Sequence, residues 1–499
     1  MSYRNIVCTA CFVVFATFFG ARTCRAQDEP QQPPPDNTQQ PPPDNTQQPP
    51  PDNNEPFPGG PPKPAGFAFP GLFGTGEGEL QPDFSPLTGF QNPTLGFPGI
   101  GHSYWVPGLQ YSSTIQSNPS PGPGIPSWYA YNYVIGNVSL REAWDRGTLI
   151  INYSGGGSFA TDSSIGSGYY QRLGMAYTYR TERWLFQIVD SFAQSPQSTF
   201  GYGGGTGLGI PGVGGSLGTT IPGLGGNYAL NQSIYGVGPF ISNVGALQVN
   251  YALSRRSSIT VAGSYGLLHF TQPGNVDTNS TVASIGYNYV LSRNNTIGVV
   301  YRFSAYQYPG IAQAYGDQVV SFAYGRKVTG RLGLRILIGP EFTHYRIPIG
   351  TTSQTTGFSA AANLTYAFER NSIFLNYLHG LYGGSGVLIG SITDDVSAGF
   401  SRKLTRAWTG NLTVGYARNS AAGGTAGNGG YAPYTDWFMT AGVNRPIGRN
   451  LQFGAAYTAT IGNYEGYGCV GPGCVTSSNR TYNTITINVQ WHARPFVLQ

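Results

Sequence analysis

Thr484-Ile-Thr-Ile-Asn-Val-Gln-Trp491 alternates without a break. Ile485, Ile487, Val489 and Trp491 are large and apolar, while Thr484, Thr486, Asn488 and Gln490 are polar. Successive side chains of an extended strand point to opposite faces, so this segment carries one apolar face and one polar face. Leu451, Phe453, Ala455 and Tyr457 alternate in the same way with Gln452, Gly454, Ala456 and Thr458. Phe358, Leu364 and Tyr366 share parity, opposite to Ser359, Asn363 and Thr365, and Leu247, Val249 and Tyr251 oppose Gln248 and Asn250. Stretches of this kind recur from Tyr104 to Trp491, joined alternately by short Arg-containing turns and long Gly/Ser/Asn-rich loops. A strand crosses lipid in about 9–11 residues. In hydrocarbon an open sheet edge would leave N–H and C=O groups unpaired, so such strands must close on themselves. The pattern therefore predicts an all-β, transmembrane antiparallel β-barrel of about 18 strands, with 16 as the alternative count. The apolar set faces lipid and the small polar set faces the lumen.

Composition agrees. Only 10% of the 499 residues are Asp, Glu, Lys or Arg, against about a quarter in soluble domains. Mean hydropathy is nevertheless −0.18, and no apolar run of helical spanning length follows the N-terminus. Alternation produces that combination. The net charge of +5 is spread over turns rather than gathered in runs, which argues against a nucleic-acid partner.

Three regions are expected. Residues 1–26 read as a signal peptide, with Arg4 before the apolar Ile6–Gly20 and a small-x-small site at Cys24-Arg25-Ala26. Residues 27–101 read as a Pro/Gly-rich N-terminal arm, extended or disordered, and 102–499 as the barrel. The arm holds the repeats QQPPPDNT, QQPPPDNT and QQPPPDNN between Gln31 and Asn54. Proline fixes φ and removes a donor, so an extended spacer follows. Its candidate roles are a periplasmic spacer, a cell-wall contact or an insert into the lumen. After export the chain keeps Cys469 and Cys474, whose Gly/Pro-containing spacing suits a disulfide at a loop tip. No cofactor and no metal site is expected.

The inferred inward residues are mostly Gly, Ala, Ser, Thr and Asn, including Asn250, Asn363 and Asn488. Such side chains cannot fill a barrel of 16–18 strands, which leaves an aqueous channel. Arg172, Arg302 and Arg335 also have inward parity, with Glu341 as the main inward acid. This balance predicts a mild preference for anions. No aromatic ladder is placed along one lumen wall.

In architecture the chain resembles the general porins of Gram-negative outer membranes, whose third external loop folds inward and narrows the pore. Here the corresponding loop, Ser195 to Pro239, is the longest and contains Ile210-Pro-Gly-Val-Gly-Gly215 and Ile221-Pro-Gly-Leu-Gly-Gly226. Gly203, Gly212, Gly215, Gly223 and Gly226 would permit an inward backbone path. The loop departs from the family in carrying no carboxylate. The resemblance implies outer-membrane lipid, the barrel-assembly machinery and small hydrophilic solutes as partners, with a trimer as one option for the oligomeric state. Two other readings compete with passive diffusion. One is a blocked barrel that anchors or displays. The other is a rim hydrolase, for which His269, His344, His379 and the pair Asp394-Asp395 are the candidates and no nucleophile motif is found. The expectation is a non-enzyme.

Overall fold

The computed structural model describes residues 86–89, 102–117, 128–161, 167–196, 239–271, 275–310, 313–328, 332–346, 352–368, 370–382, 390–422, 434–465 and 477–498. The signal segment, the QQPPPDNT repeats, the five loop glycines from Gly203 to Gly226, and both Cys469 and Cys474 lie outside the described residues.

Among the described residues the strands are β1 Tyr104–Ser117, β2 Trp128–Ala143, β3 Gly147–Ala160, β4 Gly168–Arg180, β5 Trp184–Ser195 and β6 Phe240–Ala252. There follow β7 Ser257–Phe270, β8 Thr278–Ser292, β9 Asn295–Gln307, β10 Ala314–Val328, β11 Leu332–Arg346 and β12 Thr352–Ala367. The last are β13 Asn371–Tyr382, β14 Ser391–Lys403, β15 Thr409–Ala421, β16 Tyr434–Ile447, β17 Leu451–Glu465, β18 Ser477–His492 and the two-residue β19 Phe496–Val497. Each strand pairs antiparallel with its sequence neighbour from β1 to β18. β1 also pairs with β18, from Gly108↔His492 to Gln116↔Thr484, and this closes the sheet. The result is a closed barrel of eighteen long strands, the larger of the two counts expected from the sequence.

The two faces follow parity. Leu109, Ile188, Leu247, Val261, Ile285, Val299, Ile338, Leu412 and Ile487 stand exposed on the outside. An aliphatic belt of this extent on a closed barrel is the surface that lipid covers. Trp184, Tyr287, Phe368 and Trp491 stand exposed toward the short-turn end of this belt, and Trp128, Tyr169, Phe358 and Trp437 toward the long-loop end. Rings of this amphipathic kind mark the two interfaces of a bilayer.

Pro107 interrupts the apolar pattern of β1 yet the strand forms. Its carbonyl accepts from Ala493 N–H at 2.9 Å, so its missing N–H points at the break between β18 and β19. Proline is tolerated where the ladder is already interrupted. Beyond that break β19 returns to pair with Tyr104 and Trp105, and Phe496 stacks on Trp105 with centroids 4.8 Å apart.

Hydroxyl side chains close the short turns. Ser254 Oγ accepts from Arg256 N–H and Ser257 N–H, and Thr405 Oγ1 accepts from Ala407 N–H and Trp408 N–H. These side-chain-to-backbone bonds replace the ladder where the chain reverses. Gly448, with φ of +70°, occupies the left-handed position of the turn between β16 and β17.

Asp190 has outward parity on β5, which beside lipid would suit a rim position. It lies instead in the middle of β5, where Asn243 Nδ2 donates to both its oxygens at 3.3 and 3.4 Å. The amide provides within the outer face the hydrogen bonds that a rim would draw from water.

Between β10 and β11 the register passes from Val319↔Glu341 to Phe322↔Ile338, leaving Gly339 and Pro340 without ladder partners on β10. A Cβ on Gly339 would collide with the Val320 carbonyl oxygen and approach Ser321 Cα to 2.8 Å. Backbone cannot yield as a side-chain tip can. Gly339→Ala is therefore expected to destabilise the barrel by about 1–3 kcal/mol, read as a lower urea midpoint of the protein in lipid vesicles. An unchanged midpoint would show that β10 and β11 are not held this close.

Candidate functional site

The inner wall is the candidate site, because every strand contributes alternate side chains to it. Arg172, Arg302, Arg335, Glu341, Asn250, Asn363 and Asn488 all have inward parity, but their surroundings differ. Asn363 is exposed, and its Nδ2 donates to Asn376 Oδ1 across β12 and β13. Asn250 is half-buried and accepts from Thr260 Oγ1 at 3.0 Å. Asn488 is fully buried, level with Ser112 of β1 and Gly454 of β17.

Arg302 sits in an ionic cluster drawn from three adjacent strands. Its Nη2 lies 2.6 Å from Asp317 Oδ2 on β10 and 3.7 Å from Glu341 Oε1 on β11. Glu341 Oε1 also accepts from Leu381 N–H of β13 at 3.0 Å. The carboxylates hold the guanidinium along the wall.

Arg172 is buried beside Tyr170. Tyr131, Tyr133 and Tyr170 form one buried inward cluster. Tyr129 and Tyr131 meet edge-on at 5.1 Å, and the Tyr131–Tyr133 centroids are 6.3 Å apart. The sequence reading placed no aromatic row, yet one climbs the inner face of β2. The alternation of Tyr129, Tyr131 and Tyr133 with Ala130 and Asn132 was the available signal.

Acids accompany the arginines on the wall. Among the described residues Arg172, Arg302 and Arg335 are the buried arginines, and Asp317, Glu341, Asp395 and Asp436 are the buried acids. Asp317 and Asp395 were not assigned to the wall: each stands near the long-loop start of its strand, β10 from Ala314 and β14 from Ser391, where alternation gives a face but no partner. Nor is the wall uniformly small and polar. Val189, Phe240, Val244, Leu268, Phe270 and Val282 form a buried apolar cluster over β5 to β8, all of inward parity.

Arg335 touches a part of the chain far from it in sequence. Its Nη2 donates to the carbonyl oxygens of Leu87 and, at 3.3 Å, Gly89. Residues 86–89 belong to the N-terminal arm, and Leu87, Thr88 and Gly89 are buried.

Two histidine–carboxylate pairs lie near the long-loop end with outward parity. His379 Nδ1 is 2.6 Å from Asp394 Oδ1 and its ring stacks on Phe358 at 4.2 Å. His269 Nδ1 is 2.5 Å from Asp277 Oδ2. Asp395 has parity opposite to Asp394 and is buried inward, so the Asp394-Asp395 pair is split between the two faces. Among the described residues no group of three metal-ligating side chains occurs.

No protein-family model matches the chain, and no curated protein matches it. Among solved structures it is similar to OpdQ of Pseudomonas aeruginosa, at 11% identity and a TM-score of 0.42, over 79% of this chain and 98% of that one. It is similar also to OccAB3 of Acinetobacter baumannii, at 9% identity and a TM-score of 0.39, over 80% of this chain and 100% of that one. A BenF-like porin of Pseudomonas fluorescens Pf-5 is a third, at 9% identity and a TM-score of 0.41, over 79% of this chain and 99% of that one.

Proposed function

We propose that the protein is an outer-membrane channel of the porin kind, through which small hydrophilic solutes diffuse passively. The observation that carries this reading is the closure of eighteen strands around a wall bearing asparagines, serines, threonines and ionic groups. A barrel of that strand number is too wide for its own side chains to fill. The reading places the short turns in the periplasm and the long loops outside, and it involves no catalysis.

Ion selectivity should be weak. Arg302 is neutralised by Asp317 and Glu341, Arg335 is engaged by backbone carbonyls, and Asp395 and Asp436 add negative charge. The anion preference expected from the arginines is offset accordingly. Refolded protein in a planar bilayer should give discrete open steps, with a reversal potential near zero under a salt gradient. A strongly anion-selective current would overturn the charge argument. The channel reading itself fails if neither the intact chain nor a chain with residues 86–89 replaced conducts.

A barrel that anchors or displays, with a closed lumen, is the second reading. The buried arm segment is the observation that favours it.

A further inference from the structure

Pro86-Leu-Thr-Gly89 is a β-turn: Gly89 N–H donates to the Pro86 carbonyl at 2.9 Å, the i-to-i+3 bond of such turns. Four features of the inner wall fit it. Leu87 packs with Val300, Ala323 and Leu337, which face inward from β9, β10 and β11. Arg335 donates to the Leu87 and Gly89 carbonyls. Thr88 N–H donates to Asn288 Oδ1 at 2.9 Å. Asn288 is itself oriented, since its Nδ2 donates to Thr260 Oγ1 at 3.0 Å and Thr260 Oγ1 donates to Asn250 Oδ1. Finally, the wall lacks side chains where the turn approaches. A Cβ on Gly286 would collide with Thr88, and one on Gly325 would stand 2.8 Å from Leu87 Cδ1.

We infer that the inner wall of β6 to β11 is a built receptor site for a Pro-Leu-Thr-Gly turn, and that the arm occupies it as a resident plug narrowing the lumen. An apolar socket, a donor for two carbonyls, an acceptor for one N–H and two glycine gaps act together on one turn. Chance contact of a loose arm would not need the last of these. The site lies near the short-turn end. Arg335 is three residues into β11 and Asn288 four residues before the end of β8, so the turn sits about 10–13 Å along the strands from that mouth. The chain from Gly89 to Tyr104 can span about 50 Å when extended, enough to cross a lumen and enter β1 at its short-turn end. The narrowing of conductance rests on the channel reading above; the seat does not.

Two measurements on the full chain test this. In the first, Leu87→Cys is combined with Val300→Cys, its packing partner on β9, or with Thr458→Cys at a buried inward position on β17. Mild oxidation followed by peptide mass analysis should give the 87–300 crosslink and little 87–458 crosslink. Equal yields, or no 87–300 product, would overturn the seat. In the second, Pro86–Gly89 is replaced by Gly-Ser-Gly-Ser, and single-channel conductance is compared with that of the intact chain. At least a twofold rise is expected, reversed by millimolar addition of the hexapeptide Ser-Pro-Leu-Thr-Gly-Phe. An unchanged conductance in a conducting barrel would overturn the plug and leave the channel reading standing. If neither chain conducts, the channel reading falls and the crosslink alone decides the seat.

Discussion

Replacing Arg302 with alanine is expected to destabilise the barrel by about 3–5 kcal/mol. The guanidinium lies between Asp317 and Glu341, and all three side chains are buried. Removing it leaves two carboxylates facing each other with no cation between them. The loss of one partner from a buried ionic group is severe because the remaining charge has been taken out of water without compensation. Neutralising the whole cluster is a different experiment. A chain carrying Arg302→Met, Asp317→Asn and Glu341→Gln together should recover most of the lost stability, since neither charge nor countercharge then remains. Urea unfolding of the barrel in lipid vesicles reads both. If the single and triple variants lose the same amount, the cluster is not held by charge and its role on the wall needs another account.

Arginine at Ile487 is expected to destabilise the folded barrel by about 2–4 kcal/mol, the range for a cation near the bilayer midplane on a lipid-facing strand. Ile487 is the middle of three outward aliphatics on β18, between Ile485 and Val489, and Trp491 stands at the short-turn side. Arginine at Asn363, exposed but of inward parity on β12, is expected to cost under about 1 kcal/mol, as surface substitutions usually do. The comparison uses the same residue on opposite faces, measured by the same unfolding transition. Comparable losses at the two sites would mean that the assignment of lipid and lumen faces is wrong. A small loss at Ile487 would mean that lipid does not cover that part of β18.

The arrangement within the wall has a consequence for both experiments. Arg335 and Asn363 are register partners on β11 and β12, yet one is buried and the other exposed. Arg335 donates to the Leu87 and Gly89 carbonyls of the arm, while Asn363 donates to Asn376 on β13. Substitutions of the same kind on neighbouring strands should therefore differ in their effect on conductance.

Parity along each strand was legible because it is a local property. Ile485, Ile487 and Val489 face out and Thr484, Thr486 and Asn488 face in whatever the rest of the chain does, since the backbone alternates side chains with a period of two. The turn residues Ser254 and Thr405 are local in the same sense. Closure was legible too, because lipid tolerates no open edge, and this carried the strand count past Pro107 to the β1–β18 seam. What strand alternation could not give was depth and partnership. The pairing of outward Asp190 with Asn243 and of inward Asp317 with Arg302 was not legible, because parity says which face a residue takes and not how far along the barrel it stands or what faces it. Only the tertiary structure brought Arg302, Asp317 and Glu341 together from three strands, and only it set Leu87 against Val300 and Arg335, more than two hundred residues away. Those contacts depend on strand register and on the meeting of distant segments, which are fixed by the energy of the closed barrel as a whole rather than by any stretch of sequence within it.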